Sequence, residues 1–167
     1  MKLLNQISLG FAAGSLGAAA NVAFLALAAM AGLIAAMSLQ LPELPYPAFL
    51  YKQIAWGGLW GILLAAPVLT GSWFLRGLLL SLLASAATLF IFFPMATVGE
   101  QGPGLAGLNL GTLMPVLVLL ANAVWGLVAA WWYSFVAPAA VPTTKPSPAP
   151  AEPVAAKEAP PEDGVTA

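Results

Sequence analysis

Residues 3–41, 53–69, 73–93 and 112–136 are four apolar stretches that contain no aspartate or glutamate. No other feature constrains the fold as much. About 20 apolar residues on a helix match the ~30 Å hydrocarbon core of a bilayer. Carboxylates are costly inside that core, and their absence from each stretch fits it. Charged residues make up only 7% of the chain and hydrophobic ones 61%. A soluble domain uses about 25% charged residues for its surface, so lipid must be the solvent for most of this chain. The formal net charge of −1 supplies no field for nucleic acid. The lipid bilayer is therefore the first partner expected, and nucleic acid is not one.

None of the stretches alternates polar and apolar residues as a barrel strand does. The expected fold class is an all-α integral membrane protein, a bundle of four transmembrane helices followed by a disordered Pro/Ala-rich C-terminal tail. A single helix over 3–41 would exceed the bilayer core by more than tilt absorbs. The reading is therefore an interfacial segment, "LLNQISLGFAAG", followed by a first span at 15–37. A cleaved signal peptide is disfavoured, because the apolar run continues well past the alanines at 18–20. "LPELPYP" at 41–47 breaks the chain with three prolines. The remaining spans are expected at 53–69, 73–93 and 112–136, joined by "TGS" at 70–72 and a Gly-rich loop at 99–111. Residues 1–137 then form the transmembrane domain. Residues 138–167, rich in Pro and Ala and without aromatics, read as a disordered cytoplasmic tail.

With four spans, the N-terminus, the 70–72 turn and the tail share one side, together with Lys2, Arg76 and Lys145. The other side carries Lys52, with Glu43 and Glu100. The positive-inside rule then places both termini in the cytoplasm of a multi-pass inner-membrane protein. Trp56, Trp73, Trp131 and Trp132 are the expected interface anchors, and Arg76 is expected to snorkel to the headgroups near a helix end.

Cysteine and histidine are both absent. Disulfides, thiolate or imidazole metal sites and the commonest general base go with them. No catalytic residue, cofactor or metal site is assigned, and an enzyme is not expected. "GPGLAG" at 102–107 satisfies G-x-G-x-x-G by its letters alone. No strand precedes it and no acid follows at the required distance, so it reads as a flexible turn.

The informative polar residues are Asn21 and Asn122, each near the middle of a predicted span. One reading is an interhelical hydrogen bond, with the two amides paired to each other. The other makes them points on a solute pathway, together with Ser85 and Thr88. Small residues recur at intervals of four: Gly10, Gly14 and Ala18; Ala28, Gly32 and Ala36; Gly57 and Gly61; Ser81 and Ser85. This spacing lets helix backbones approach closely, within one bundle or between copies. Trp56 and Trp60, also four apart, share a different face of the second span from Gly57 and Gly61. The leading expectation is a non-catalytic accessory or scaffold subunit, bound through its helix faces to a membrane-protein partner or to copies of itself. The alternative is a small permease or channel for an uncharged solute, working as an oligomer. Geometry separates them: these groups converging on a hydrated cavity open to one side favour the second, and amides each sealed against another helix favour the first.

Overall fold

The computed structural model describes residues 2–42, 45–67, 71–96 and 102–137. The expected tail at 138–167 with Lys145, the residues Glu43 and Glu100, and the start of the 70–72 turn lie outside the described residues. Among the described residues there is no strand. The helices are α1 (Lys2–Met30), α2 (Leu33–Ala36), α3 (Ala48–Gly61), α4 (Trp73–Ala87), α5 (Phe93–Met95) and α6 (Met114–Val136). A 3-10 turn, Ile62–Ala65, prolongs α3, and a π turn, Thr88–Phe92, joins α4 to α5. Three helical segments are long and apolar enough to cross a membrane: Leu3–Met30, Trp73–Met95 and Met114–Val136.

The first helix departs from the expected span at 15–37. It runs unbroken from Lys2, with no separate interfacial segment, because Gly10 and Gly14 seat its first half against α3. It ends at Met30, where Gly32 takes φ 75° and its N–H bonds to the Ala29 carbonyl at 3.0 Å. A left-handed glycine just past the last turn is a common helix stop, because it lacks the Cβ that penalises that conformation. Gly32 and Ala36 are exposed, so the Ala28–Gly32–Ala36 spacing forms no packing face within the bundle.

The second stretch also differs. Its α-helix begins at Ala48 and lasts only 14 residues before tightening into the 3-10 turn. Ala66 is extended (φ −68°, ψ 140°) because Pro67 follows it and disfavours helical geometry in its predecessor. The expected span at 53–69 therefore stops short, and this segment is not one of the three helices of membrane-spanning length. The third stretch, expected to end at Phe93, instead continues past Pro94 to Met95. Pro94 lacks an N–H, and its ring would strike the carbonyl four residues back. Widening the turn eases that clash, and the N–H of Phe93 reaches the Thr88 carbonyl in the π pattern.

The helices run up and down in turn. α1 packs between α3 and α6, and α6 packs on its other side against α4. The buried face of α6 recurs at helical spacing through Met114, Leu117, Val118, Ala121, Trp125, Ala129 and Tyr133. Glycines bring the backbones together at each seam. A Cβ on Gly10 would lie 2.7 Å from the Gly61 carbonyl oxygen, one on Gly17 would lie 2.5 Å from that of Trp125, and one on Gly77 would lie 2.6 Å from that of Gly126. Gly14 and Gly57 meet in the same way at the α1–α3 seam. No such seam joins α3 to α4, which have no extended contact.

Candidate functional site

The missing α3–α4 seam leaves a cavity of about 420 Å³ inside the bundle. Its wall takes Asn21 from α1, Gln53, Trp56 and Trp60 from α3, Thr88 and Phe92 from the π turn, and Asn122 and Trp125 from α6. That volume lies in the usual range for small-molecule sites, about 300–1,000 Å³. Most of the lining is apolar or aromatic, and no described residue of the wall is ionisable.

Two loops close one end. The N–H of Gln40 bonds to the Leu110 carbonyl at 2.8 Å, joining the 37–42 segment to the 102–111 loop. Leu39 is buried with Leu89, Met114, Leu117 and Val118 beneath them. The "GPGLAG" letters lie in this cap. Gly107 has φ 74° and is packed so closely that a Cβ would meet the Phe93 ring at 2.6 Å and Met114 Cγ at 2.7 Å. The segment enters a folded 3-10 turn, Leu105–Leu110, and the Asn109 side chain lies against Gly104.

The two asparagines do not pair with each other as expected. Asn21 Nδ2 donates to the Ala121 carbonyl of α6 at 2.8 Å. Asn122 Nδ2 donates to Ser85 Oγ at 3.2 Å, and Ser85 in turn donates to the Ser81 carbonyl at 2.7 Å. The reason is positional: a backbone carbonyl lies opposite Asn21, and a serine hydroxyl lies opposite Asn122. Asn21, Asn122 and Thr88 all reach the cavity wall, whereas Ser85 lies behind Asn122 and is 1% exposed. Thr88 Oγ1 donates to the Ala84 carbonyl at 2.9 Å. Asn21 is only 7% exposed, yet its Oδ1 has no hydrogen-bond partner. Buried polar atoms are nearly always paired, and this enclosed oxygen is an exception among the described residues.

The aromatic residues divide. The Trp56 ring meets Phe92 edge-on at 5.7 Å, linking α3 to the π turn across the open side of the cavity. Its neighbour Gly57 sits against Ala18 and Trp125, and Trp125 is the central residue of α6. Trp56 therefore lies at mid-height in the bundle, not at the helix end where an interface anchor was expected. Trp60 packs on the buried Ala18, Ala84 and Trp125. Trp73 and Trp131 are near helix ends and partly exposed, each edge-on to a phenylalanine, Phe74 and Phe135. Trp132 packs beside the buried Ala13, Leu64 and Tyr133.

Arg76 is half-buried and does not simply reach outwards. Its Nη2 donates to the Leu64 and Ala66 carbonyls, the second at 2.6 Å, and its Cζ lies 5.3 Å from the centre of the Tyr133 ring. It ties the end of the 3-10 turn to α4 and α6, supplying donors to carbonyls that the helix end leaves free. Its cationic face on Tyr133 adds a cation–π contact. This junction closes the end of the bundle opposite the loop cap.

Gln53, Gly17, Gly77 and Gly126 were not singled out by sequence reasoning. Gly77 stands four residues before Ser81, and Gly126 four after Asn122, so the same spacing rule reaches both. Gly17 lies outside the Gly10–Gly14 register, and nothing local marks it. The chain matches no protein-family model, no curated protein and no solved structure.

Proposed function

We propose that this chain is a four-span inner-membrane protein, both termini cytoplasmic, that binds one uncharged, largely apolar solute within its own bundle as a small permease or solute-binding subunit. One observation carries this reading: Asn21, Thr88 and Asn122, from three different helical segments, line one cavity whose described wall has no ionisable group. The scaffold reading is weaker, because Gly10, Gly14, Gly57 and Gly61 are occupied within the chain and not offered to a partner. The reading remains non-catalytic.

A fourth crossing is supported by length. α3 and its 3-10 turn together measure about 29 Å, at about 1.5 Å per α residue and about 2.0 Å per 3-10 residue, close to the ~30 Å core. The 3-10 turn thus lets a short helix reach as far as a longer one. One chain supplies every described wall of the cavity, so a second copy is not needed to complete it.

The test uses the protein in lipid nanodiscs and 1-bromododecane, an uncharged quencher. A tryptophan-lined cavity gives a saturable quenching component above the linear one expected from bilayer partitioning. Trp60→Phe should shrink that component, whereas Trp131→Phe should not. Purely linear quenching in the wild type overturns the reading.

A further inference from the structure

We infer that the solute is a neutral aromatic molecule that donates one hydrogen bond, from a phenolic O–H or an aromatic N–H, to Asn122 Oδ1. This rests on the cavity reading above and specifies its ligand. Ser85 fixes which way the Asn122 amide faces. The Ser85 hydroxyl has a single hydrogen, and that hydrogen goes to the Ser81 carbonyl. Ser85 Oγ can therefore only accept from Asn122, so Nδ2 is the atom turned towards it, at 3.2 Å. Asn122 lies on the cavity wall and Ser85 lies behind it. The nitrogen thus points away from the cavity and the oxygen towards it. Asn122 Oδ1 has no partner among the described residues, where the one enclosed unpaired side-chain atom is Asn21 Oδ1. The Asn122 oxygen therefore keeps open surface. An open acceptor with no donor from the chain calls for one from the solute.

A second amide stands at the same height. Gly57 of α3 sits against Trp125 of α6, and these two helices run in the same direction. Gln53 precedes Gly57, and Asn122 precedes Trp125, by about one turn, ~5.4 Å. Gln53 thus brings a group able to donate and to accept level with Asn122, and both line the cavity.

The rest of the wall restricts what carries the donor. Six aromatic rings surround the two amides: Phe49, Trp56, Trp60, Phe92, Phe93 and Trp125. Trp56 and Phe92 already meet edge-on at 5.7 Å. Aromatic rings favour edge-on and offset partners, so a planar ring gains more from this wall than a saturated body of the same size. A charged solute would be desolvated there with no described counter-charge to offset the loss. A volume of 420 Å³ holds far more than the single water that would satisfy one oxygen; a water occupies about 30 Å³.

The experiment follows saturable quenching of tryptophan emission in the full chain in nanodiscs, at neutral pH. The probes are 4-bromophenol, 4-bromoanisole and trans-4-bromocyclohexanol, compared at equal concentration in the bilayer. The phenol should half-saturate about tenfold below the anisole, which keeps the ring and lacks the donor. It should bind severalfold more tightly than the cyclohexanol, which keeps the donor and lacks the ring. Asn122→Leu should erase the first difference and preserve the second. Ser85→Ala frees the amide to turn its N–H into the cavity, so the anisole should gain on the phenol. Equal half-saturation of phenol and anisole in the wild type overturns the inference and leaves the cavity reading standing. A cyclohexanol as tight as the phenol overturns the aromatic class. If no probe saturates, the cavity reading falls and the inference with it. A phenol preference that survives Asn122→Leu overturns Asn122 as the acceptor. Where that variant fails to fold, the phenol-to-anisole ratio in Ser85→Ala decides, and an unchanged ratio overturns the assignment.

Discussion

Gly32 and Gly71 separate two reasons for a glycine. Neither has an atom within 4 Å of where a Cβ would go, so space favours neither. Gly32 has φ 75°, and Gly71 is not among the positive-φ glycines. Gly32→Ala should therefore cost about 1 kcal/mol, the penalty for an L side chain in the left-handed region. Gly71→Ala should be silent. Thermal unfolding of the two variants in one detergent measures the difference, and equal midpoints would refute the assignment of Gly32 as the stop of α1. Arg76 makes a second case at this scale. Replacing it with Met keeps the aliphatic stem but leaves the Leu64 and Ala66 carbonyls without their donor. The expected loss is about 1.5–3 kcal/mol, the range for hydrogen bonds to a charged group. Lysine at the same position should recover only part of it, since an ammonium has no planar face for Tyr133.

Among the elements, the α1–α3 seam is open to a direct chemical test. The chain has no cysteine, so introduced pairs carry no background. A Cβ on Gly58 would lie 2.7 Å from Ser15 Oγ. The double variant Ser15→Cys, Gly58→Cys should therefore oxidise readily within one chain, provided the Phe11 ring beside it yields. Gly61→Leu should block that crosslink by driving a side chain into the α1 backbone. Intermolecular crosslinking alone would mean that the seam joins two copies. The elements show what the sequence makes legible. Helical class and the three long apolar helices follow from an unbroken hydrophobic pattern that needs no tertiary information. Boundaries were harder. Pro67 stands in plain view and ends the second segment, but Pro94 in the third is bypassed by a π turn. Gly32, in an Ala-rich run, gives no local sign that it stops a helix rather than packs in one. The site was half legible. Asn21 and Asn122 stand out as amides in apolar surroundings. Their partners depend on how α1, α4 and α6 are rotated about their axes, which four-residue spacing does not fix. The cavity itself arises from contact that α3 and α4 do not make, and no residue pattern encodes a missing contact.

The whole molecule turns on whether the short third helix crosses the bilayer. If it does, the 31–47 and 96–113 connections share one side, and the 66–72 connection shares the other with both ends of the helical domain. If α3 merely dips in and returns, the 31–47 and 66–72 connections lie together, and the two ends of the domain fall on opposite sides. Two geometric facts favour crossing. Gly57, midway along the 18 residues from Ala48 to Ala65, sits against Ala18 and Trp125, level with the centre of α6. A helix whose midpoint is level with a spanning helix's midpoint has its two ends near opposite faces. Arg76 then secures the far end of α3 where Pro67 leaves carbonyls without helical partners. Single-cysteine labelling in intact cells resolves the two cases. Ser38→Cys and Asn109→Cys, both at exposed positions in the first pair of connections, should react with an impermeant maleimide. Gly71→Cys, equally exposed, should react only after the membrane is opened. Labelling of Gly71→Cys together with Ser38→Cys in intact cells would place α3 on one side. It would also take away the fourth wall of the cavity, because Gln53, Trp56 and Trp60 reach the other helices only if α3 runs beside them through the bilayer.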